Sequence, residues 1–173
     1  MKALERLSSF QTLGEKQLIK MQQETARFMT AYSRHLSPYW LSLVGKSATG
    51  KTMLAKLIYK NFDSSRFLSW ARIVRELRSG EYRWFEDLFT ERLLIIDDIG
   101  AEYETGFIAA KLYELLNERG GRWTILTSNL SLKAIGDLDV RIASRMIRDG
   151  SVVVDVNAPD WSTRKPSPTT GGA

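Results

Sequence analysis

The sequence predicts an α/β domain: a parallel sheet covered by helices on both faces. Three observations carry that prediction. Short apolar runs alternate with stretches of helical spacing along the 173 residues, the pattern of a doubly wound sheet. The run Arg92-Leu93-Leu94-Ile95-Ile96-Asp97-Asp98 is too apolar to have a wet face, and strands buried on both sides belong to parallel sheets. A glycine-bearing loop, Gly45 to Thr52, joins the apolar run Trp40–Val44 to the helical run Met53–Tyr59.

Each element has a local justification. Gln11 to Arg34 reads as an amphipathic helix, because Leu18, Met21, Gln22, Thr25, Phe28, Met29 and Tyr32 recur near the helical period. Gly14 breaks it from a short Leu4–Phe10 segment, and Ser37-Pro38 ends it. Trp40–Val44 is the first strand, followed by the Met53–Tyr59 helix and a turn over Asn61–Ser65. Arg66–Trp70 reads as a second strand, and Ala71–Ser79 as a helix with Ile73, Val74 and Leu77 on one face, stopped by Gly80. Tyr82–Phe89 is a further helical turn or two before the third strand, Arg92–Asp98. Thr105–Arg119 is a helix with Thr105 as N-cap, Ile108, Leu112, Leu115 and Leu116 as its stripe, and Gly120-Gly121 as its stop. Arg122–Thr127 is the fourth strand, Ser131–Ile135 and Val140–Ile147 are short helices, and Asp149-Gly150 turns into a last strand, Ser151–Val156. From Trp161 onward the composition is that of a disordered tail.

Composition narrows the class. At 43% hydrophobic and 26% charged residues the chain is that of an ordinary globular domain. It has no cysteine, which excludes disulfides and thiolate metal sites, and the lone His35 makes no metal site. No apolar run approaches the roughly 18 residues of a membrane span, and Met1–Arg6 lacks the apolar core of a secretory signal. A cytoplasmic protein without a membrane partner is the expectation. The net charge of +5 is uneven: residues 1–60 carry ten Lys or Arg against three acids. That balance suits a polyanion partner, and equally suits solvated helix faces beside a phosphate site.

Gly45-Lys46-Ser47-Ala48-Thr49-Gly50-Lys51-Thr52 fits G-x-x-x-x-G-K-[ST], the phosphate-binding loop of P-loop NTPases. It stands where a strand meets a helix N-terminus, so free N–H groups and the helix dipole favour an anion. Gly45 and Gly50 permit close backbone approach, and the successive amides from Lys46 to Met53 form a nest for phosphate. Lys51 supplies a point charge for the β- and γ-phosphates, and the Thr52 hydroxyl a ligand for Mg2+. ATP with Mg2+ is therefore the expected ligand.

The strand ending at Asp97 and Asp98 brings two carboxylates to the same carboxyl edge of a parallel sheet. Asp97 is assigned to the metal and Asp98 to the attacking water; a strand-ending acidic turn is the alternative. Asn129, at the end of the next strand, can donate and accept together, which suits a contact to the γ-phosphate or the water, although strand-end Asn is also common turn chemistry. Arg141 and Arg145 share a helix face at i and i+4, with Arg148 nearby. Like charges there are unfavourable unless an anion meets them, and a neighbouring subunit's γ-phosphate would do so; a solvated basic face is the alternative.

Several segments resemble the AAA+ ATPase domain of DnaC/DnaI-type replicative helicase loaders, and are similar to the related IstB-type transposition helper ATPases. They are Gly45–Thr52, Leu93–Glu102, Leu115–Arg119, Thr124–Leu130 and Arg141–Met146, in order and at family spacing, within a likeness running from about Ser8 to Trp161. The resemblance implies that Asn129 is the sensor I residue and Arg145 the arginine finger, with Arg141 just before it. It implies single-stranded DNA bound on the inside of a spiral oligomer, with Thr105 and Phe107 facing it at the start of the helix after Asp98. Phe107 also suits base stacking, the alternative being a core aromatic. The Trp70–Phe89 segment matches a family element facing DNA, where Arg72, Arg75, Arg78 and Arg83 can track phosphates.

The expected domains are 1–38 (an N-terminal helical extension), 39–160 (the AAA+ ATPase domain that the resemblance implies, without a C-terminal helical lid) and 161–173 (the disordered tail). Family loaders carry an N-terminal helicase-gripping domain; here it is lost, truncated or replaced by Gln11–Arg34. An Asp-Asp pair where other AAA+ proteins have Asp-Glu implies slow, switch-like hydrolysis. The expected function is a bacterial or phage-encoded ATPase that self-associates through its ATP site, assembles on single-stranded DNA and helps place a replicative helicase. Alternatives are a transposition helper on duplex DNA, a P-loop small-molecule kinase, and a nucleotide-binding scaffold. The five tryptophans are expected to pack the core, with Trp84 the one available for a contact.

Overall fold

Helix α1 is Lys16–Arg34, β1 Trp40–Gly45, α2 Lys51–Tyr59, β2 Ser65–Ser69, α3 Trp70–Arg78 and α4 Arg83–Thr90. They are followed by β3 Leu93–Ile99, α5 Gly106–Glu118, β4 Trp123–Ser128, α6 Leu132–Leu138, α7 Val140–Met146 and β5 Ser151–Val156. This is a computed structural model, describing residues 7–8, 10–12, 14–37, 39–80, 82–100, 106–148 and 150–160. The strands form one sheet in the order β2-β3-β4-β1-β5, and every pairing is parallel. The parallel sheet flanked by helices is thus as expected, and among the described residues no helical lid follows β5.

The alternation along each strand assigns its side chains to one of two cores. Leu41, Leu43, Leu93, Ile95, Ile125 and Val154 pack with α1 and α2. Trp40, Val44, Leu94, Ile96 and Leu126 pack with α3 to α7. Helix α1 belongs to this packing: Leu18, Met21, Phe28, Met29 and Tyr32 are buried against the sheet. Trp123 is ringed by Phe28, Tyr32 and Tyr39 at centroid distances of 5.5, 5.1 and 4.9 Å.

Element boundaries shift where a polar residue caps rather than joins a helix. Ser131 and Ser69 each accept an N–H from the first turn, at Ala134 and Arg72, so α6 starts at Leu132 and α3 at Trp70. Trp70 is therefore a helix residue, not the end of β2. Helix α1 begins at Lys16 rather than Gln11, after Gly14 at φ 76°, and ends at His35 in the left-handed conformation. Strand β3 runs one residue further than Asp98, to Ile99. Trp40, Trp70 and Trp123 are buried and Trp84 is half-buried; Trp161, the 161–173 tail, Asp149 and the cap Thr105 lie outside the described residues.

Candidate nucleotide site

The sheet order places β4 between the strand of the phosphate loop, β1, and the acidic strand, β3. Whatever stands at the end of β4 therefore lies between phosphate and carboxylate. Before the bulge in β3, odd-numbered residues of β3 and β4 face α2, so Asp97 and Thr127 fall on the side of Thr52. Thr52 Oγ1 donates to Asp97 Oδ1 at 2.9 Å, and Thr127 Oγ1 donates to the same oxygen at 2.7 Å. Asp97 is 7% exposed. Thr127 also accepts the Asp98 N–H at 2.8 Å, so one hydroxyl fixes both acids.

Register shifts between Ile96 and Ile99, and Asp98 sits at φ 61° in the left-handed region. A bulge of this kind re-aims a side chain. Asp97 stays buried while Asp98 is exposed, one residue on. Asn129 Nδ2 donates to Asp98 Oδ1 at 2.6 Å, the orientation a purely accepting carboxylate requires. Ser128 secures the corner by donating to Ile99 O and accepting the Leu130 N–H at 3.0 Å. Leu130 O in turn accepts the Gly45 N–H at 2.9 Å.

The loop itself needs both glycines. Gly45 and Gly50 each have φ 102°, and a Cβ on Gly45 would stand 2.5 Å from Val156 O and 2.6 Å from Asp155 Oδ1. Lys51 is 4% exposed and folds back onto its own loop, donating to Gly45 O at 2.8 Å and Lys46 O at 2.6 Å. Burial lowers its pKa to about 8, against the opposing pull of Asp98, Asp97 and Asp155. Lys46, Ser47 and Ala48 are exposed at the loop tip. Ala48, Lys51, Thr52 and Met53 line, with Asn129 and Asp160, a cleft of about 410 Å3. A second cavity of about 590 Å3 adjoins it at Thr52 and Met53 and is walled by Phe10. Phe10, read from sequence only as the end of a short segment, is held near Gly50 by burial against the core, beside a Gln22 Nε2 bond to Leu7 O at 2.7 Å.

The paired oxygens of Thr52 and Asp97 fit a hard divalent cation such as Mg2+, and the buried Lys51 at the foot of the cleft fits a polyphosphate.

Each of the three arginines has partners within its own subunit. Arg141 is paired with Asp139 through Nε at 3.0 Å and Nη2 at 2.7 Å, and Asp139 also caps α7. Arg145 donates to Tyr113 and Asn117. Arg148 donates to Leu116 O and stacks over Trp40 at 4.4 Å, a structural task. Among the candidate DNA residues, Phe107 is not core: it is 47% exposed, and its ring lies 6.4 Å from that of Tyr82, itself 48% exposed. Arg72 and Arg75 are exposed and lie 3.9 and 3.8 Å from the single carboxylate of Glu76. Thr105 lies outside the described residues.

No protein-family model and no curated protein sequence matches the chain. Solved structures do. DnaI matches at a TM-score of 0.66 and 21% identity, over 89% of this chain and 88% of that one. The DnaC helicase loader matches at 0.57 and 19%, over 78% and 89%. The replication initiator DnaA bound to AMPPCP and single-stranded DNA matches at 0.60 and 18%, over 77% of this chain and 45% of that one. The order of the five parallel strands, the phosphate loop and these likenesses together give the chain a P-loop NTPase (AAA+) fold, similar to the folds of DnaI and the DnaC helicase loader.

Proposed function

We propose that the chain is an ATP-hydrolysing helicase loader that assembles on single-stranded DNA in the cytoplasm and helps to place a replicative helicase. The observation that carries the ATPase reading is the convergence of Thr52, Asp97, Asp98 and Asn129 beside the phosphate loop, through direct hydrogen bonds. Lys51 would exchange its loop carbonyls for phosphate oxygens. Thr52 and Asp97 would hold Mg2+, which supplies charge to offset that on the phosphoryl oxygens. Asp98 would take the proton of the attacking water, and Asn129 would orient that water, leaving its present bond to Asp98. Thr127 keeps both carboxylates in place. The catalytic set is completed by Arg145 of a neighbouring protomer, which ties hydrolysis to assembly.

The exposed pair Tyr82 and Phe107, with Arg72 and Arg75 on the neighbouring helix, supports the DNA reading: aromatic faces stack unpaired bases and basic side chains follow the backbone. The helicase partner rests on the likeness to DnaI and the DnaC helicase loader.

The test is ATP hydrolysis with and without single-stranded DNA, for wild type and Arg145→Ala, across protein concentration. A rate that rises with DNA and concentration and collapses in the variant supports the reading. A rate indifferent to all three removes it. Stimulation by duplex instead moves the reading to a transposition helper, and phosphoryl transfer to an acceptor other than water moves it to a kinase.

A further inference from the structure

Arg145 is ordered by its own subunit. Its Nη2 donates to the Tyr113 hydroxyl at 2.9 Å and its Nε to Asn117 Oδ1 at 3.1 Å, both on α5. The guanidinium carbons of Arg145 and Arg141 each lie 5.2 Å from the Tyr113 ring centroid. Two cations one turn apart repel, and the aromatic ring that both approach offsets part of that repulsion. The two arginines nevertheless differ in what they have left to give. Arg141 is neutralised by the Asp139 carboxylate, with two bonds to it. The hydrogen-bond acceptors of Arg145, a phenol and an amide, are both neutral, so its positive charge stays available to an anion. Both line a notch of about 270 Å3 with Tyr113, Val140 and Ser144.

We propose that Tyr113 and Asn117 are positioning residues. They hold Arg145, still charged, in one geometry before a second copy of this chain presents its nucleotide triphosphate. Arg141 is by contrast committed to Asp139 and the start of α7, and does not serve as the second finger. Fixing a long side chain in advance lowers the entropy lost when the interface forms, and it keeps the guanidinium aligned at the moment of hydrolysis. This inference rests on the trans-acting role proposed for Arg145.

The experiment compares Tyr113→Leu, Tyr113→Phe, Asn117→Leu, Arg145→Ala and Tyr113→Leu/Arg145→Ala in the full chain. It reads kcat at saturating protein and the Kd of a fluorescent ATP analogue. Tyr113→Leu is expected to lower kcat by about 10- to 100-fold, as small misplacements of a catalytic group do, with Kd unchanged. Tyr113→Phe, which keeps the ring and loses the acceptor, falls between. The double variant is no slower than Arg145→Ala. Mixing Tyr113→Leu with Asp98→Asn restores activity, because the first supplies an intact site and the second an intact finger. If Arg145→Ala is slow while the Tyr113 and Asn117 variants run at the wild-type rate, the positioning role is overturned and the finger stands. Additive losses, or no recovery on mixing, also overturn it. An Arg145→Ala enzyme as fast as wild type removes both the finger and its support. Should Tyr113→Leu fail to fold, Tyr113→Phe and Asn117→Leu carry the same comparison.

Discussion

The side-chain amide of Asn129 donates to Asp98 Oδ1 across 2.6 Å, joining the exit of β4 to the end of β3. The bond exists because a bulge turns Asp98 out of the sheet at φ 61°, beside the strand that separates it from the phosphate loop. The proposed base is thereby held by the residue proposed to orient the water.

Asp98→Asn tests that base without disturbing the backbone, since Asn tolerates the left-handed region. Hydrolysis is expected to fall by about 10²- to 10⁴-fold, the usual contribution of a general base, while the Kd for ATP holds. Phosphate release and equilibrium binding measure the two quantities. An unaltered turnover would leave a nucleotide-binding scaffold.

Lys51 is expected to make the proposed nucleotide binding pH-dependent. Its pKa in the free protein is lowered to about 8, and a bound polyphosphate favours the ammonium form. Affinity should be flat below pH 8 and decline as pH rises past it, with protons taken up on binding. The folding linkage has the opposite sense. Between about 8 and the ordinary 10.5 the unfolded chain binds more protons at this residue, so its unfavourable share of nucleotide-free stability shrinks as pH rises. Calorimetry in buffers of different ionisation enthalpy reads the uptake, and Lys51→Arg, always charged, should abolish it.

Tyr82→Ala and Phe107→Ala are each expected to weaken binding of single-stranded DNA by about 1–3 kcal/mol, the range for one stacked base. Arg72→Ala should instead reduce the salt slope, because it removes a phosphate contact rather than a stacking face. Anisotropy of a labelled oligonucleotide over a salt series separates the two. Wild-type affinity in both aromatic variants would remove this face from the DNA path.

Arg119 is fully buried and donates to Thr124 Oγ1 and to the carbonyls of Leu88, Phe89, Glu91 and Trp123. Burial lowers its pKa to about 9, which leaves it charged at neutral pH. It closes the end of α4 onto the sheet. Arg119→Met strands those carbonyls and should cost roughly 3–5 kcal/mol in urea unfolding. A loss below about 1 kcal/mol would show that water replaces the guanidinium.

The strands were legible almost residue by residue, because parallel strands buried on both faces are written as short unbroken apolar runs, as in Leu93 to Ile96, too short for a buried helix. Helix starts were less so. Ser69 and Ser131 act as caps, and a cap differs from a first-turn residue only in backbone angles that neighbouring residues settle.

Within the site, the phosphate loop is written in the chain itself, since its chemistry is local: two glycines, a lysine and a threonine at set spacing between a strand and a helix. The sequence also marks Asp97, Asp98 and Asn129 by their places at strand ends. What joins them depends on how the layers pack. Thr127 holds both acids, Tyr82 meets Phe107, Phe10 walls the cavity beside the loop, and Tyr113 with Asn117 holds Arg145. Those contacts link residues some 25 to 45 positions apart or more; the Thr127 contacts follow from the insertion of β4 between β1 and β3 and from one bulge in β3, and the others from how the flanking elements pack. Strand order and bulges arise from how whole layers pack, and no local run of side chains encodes them.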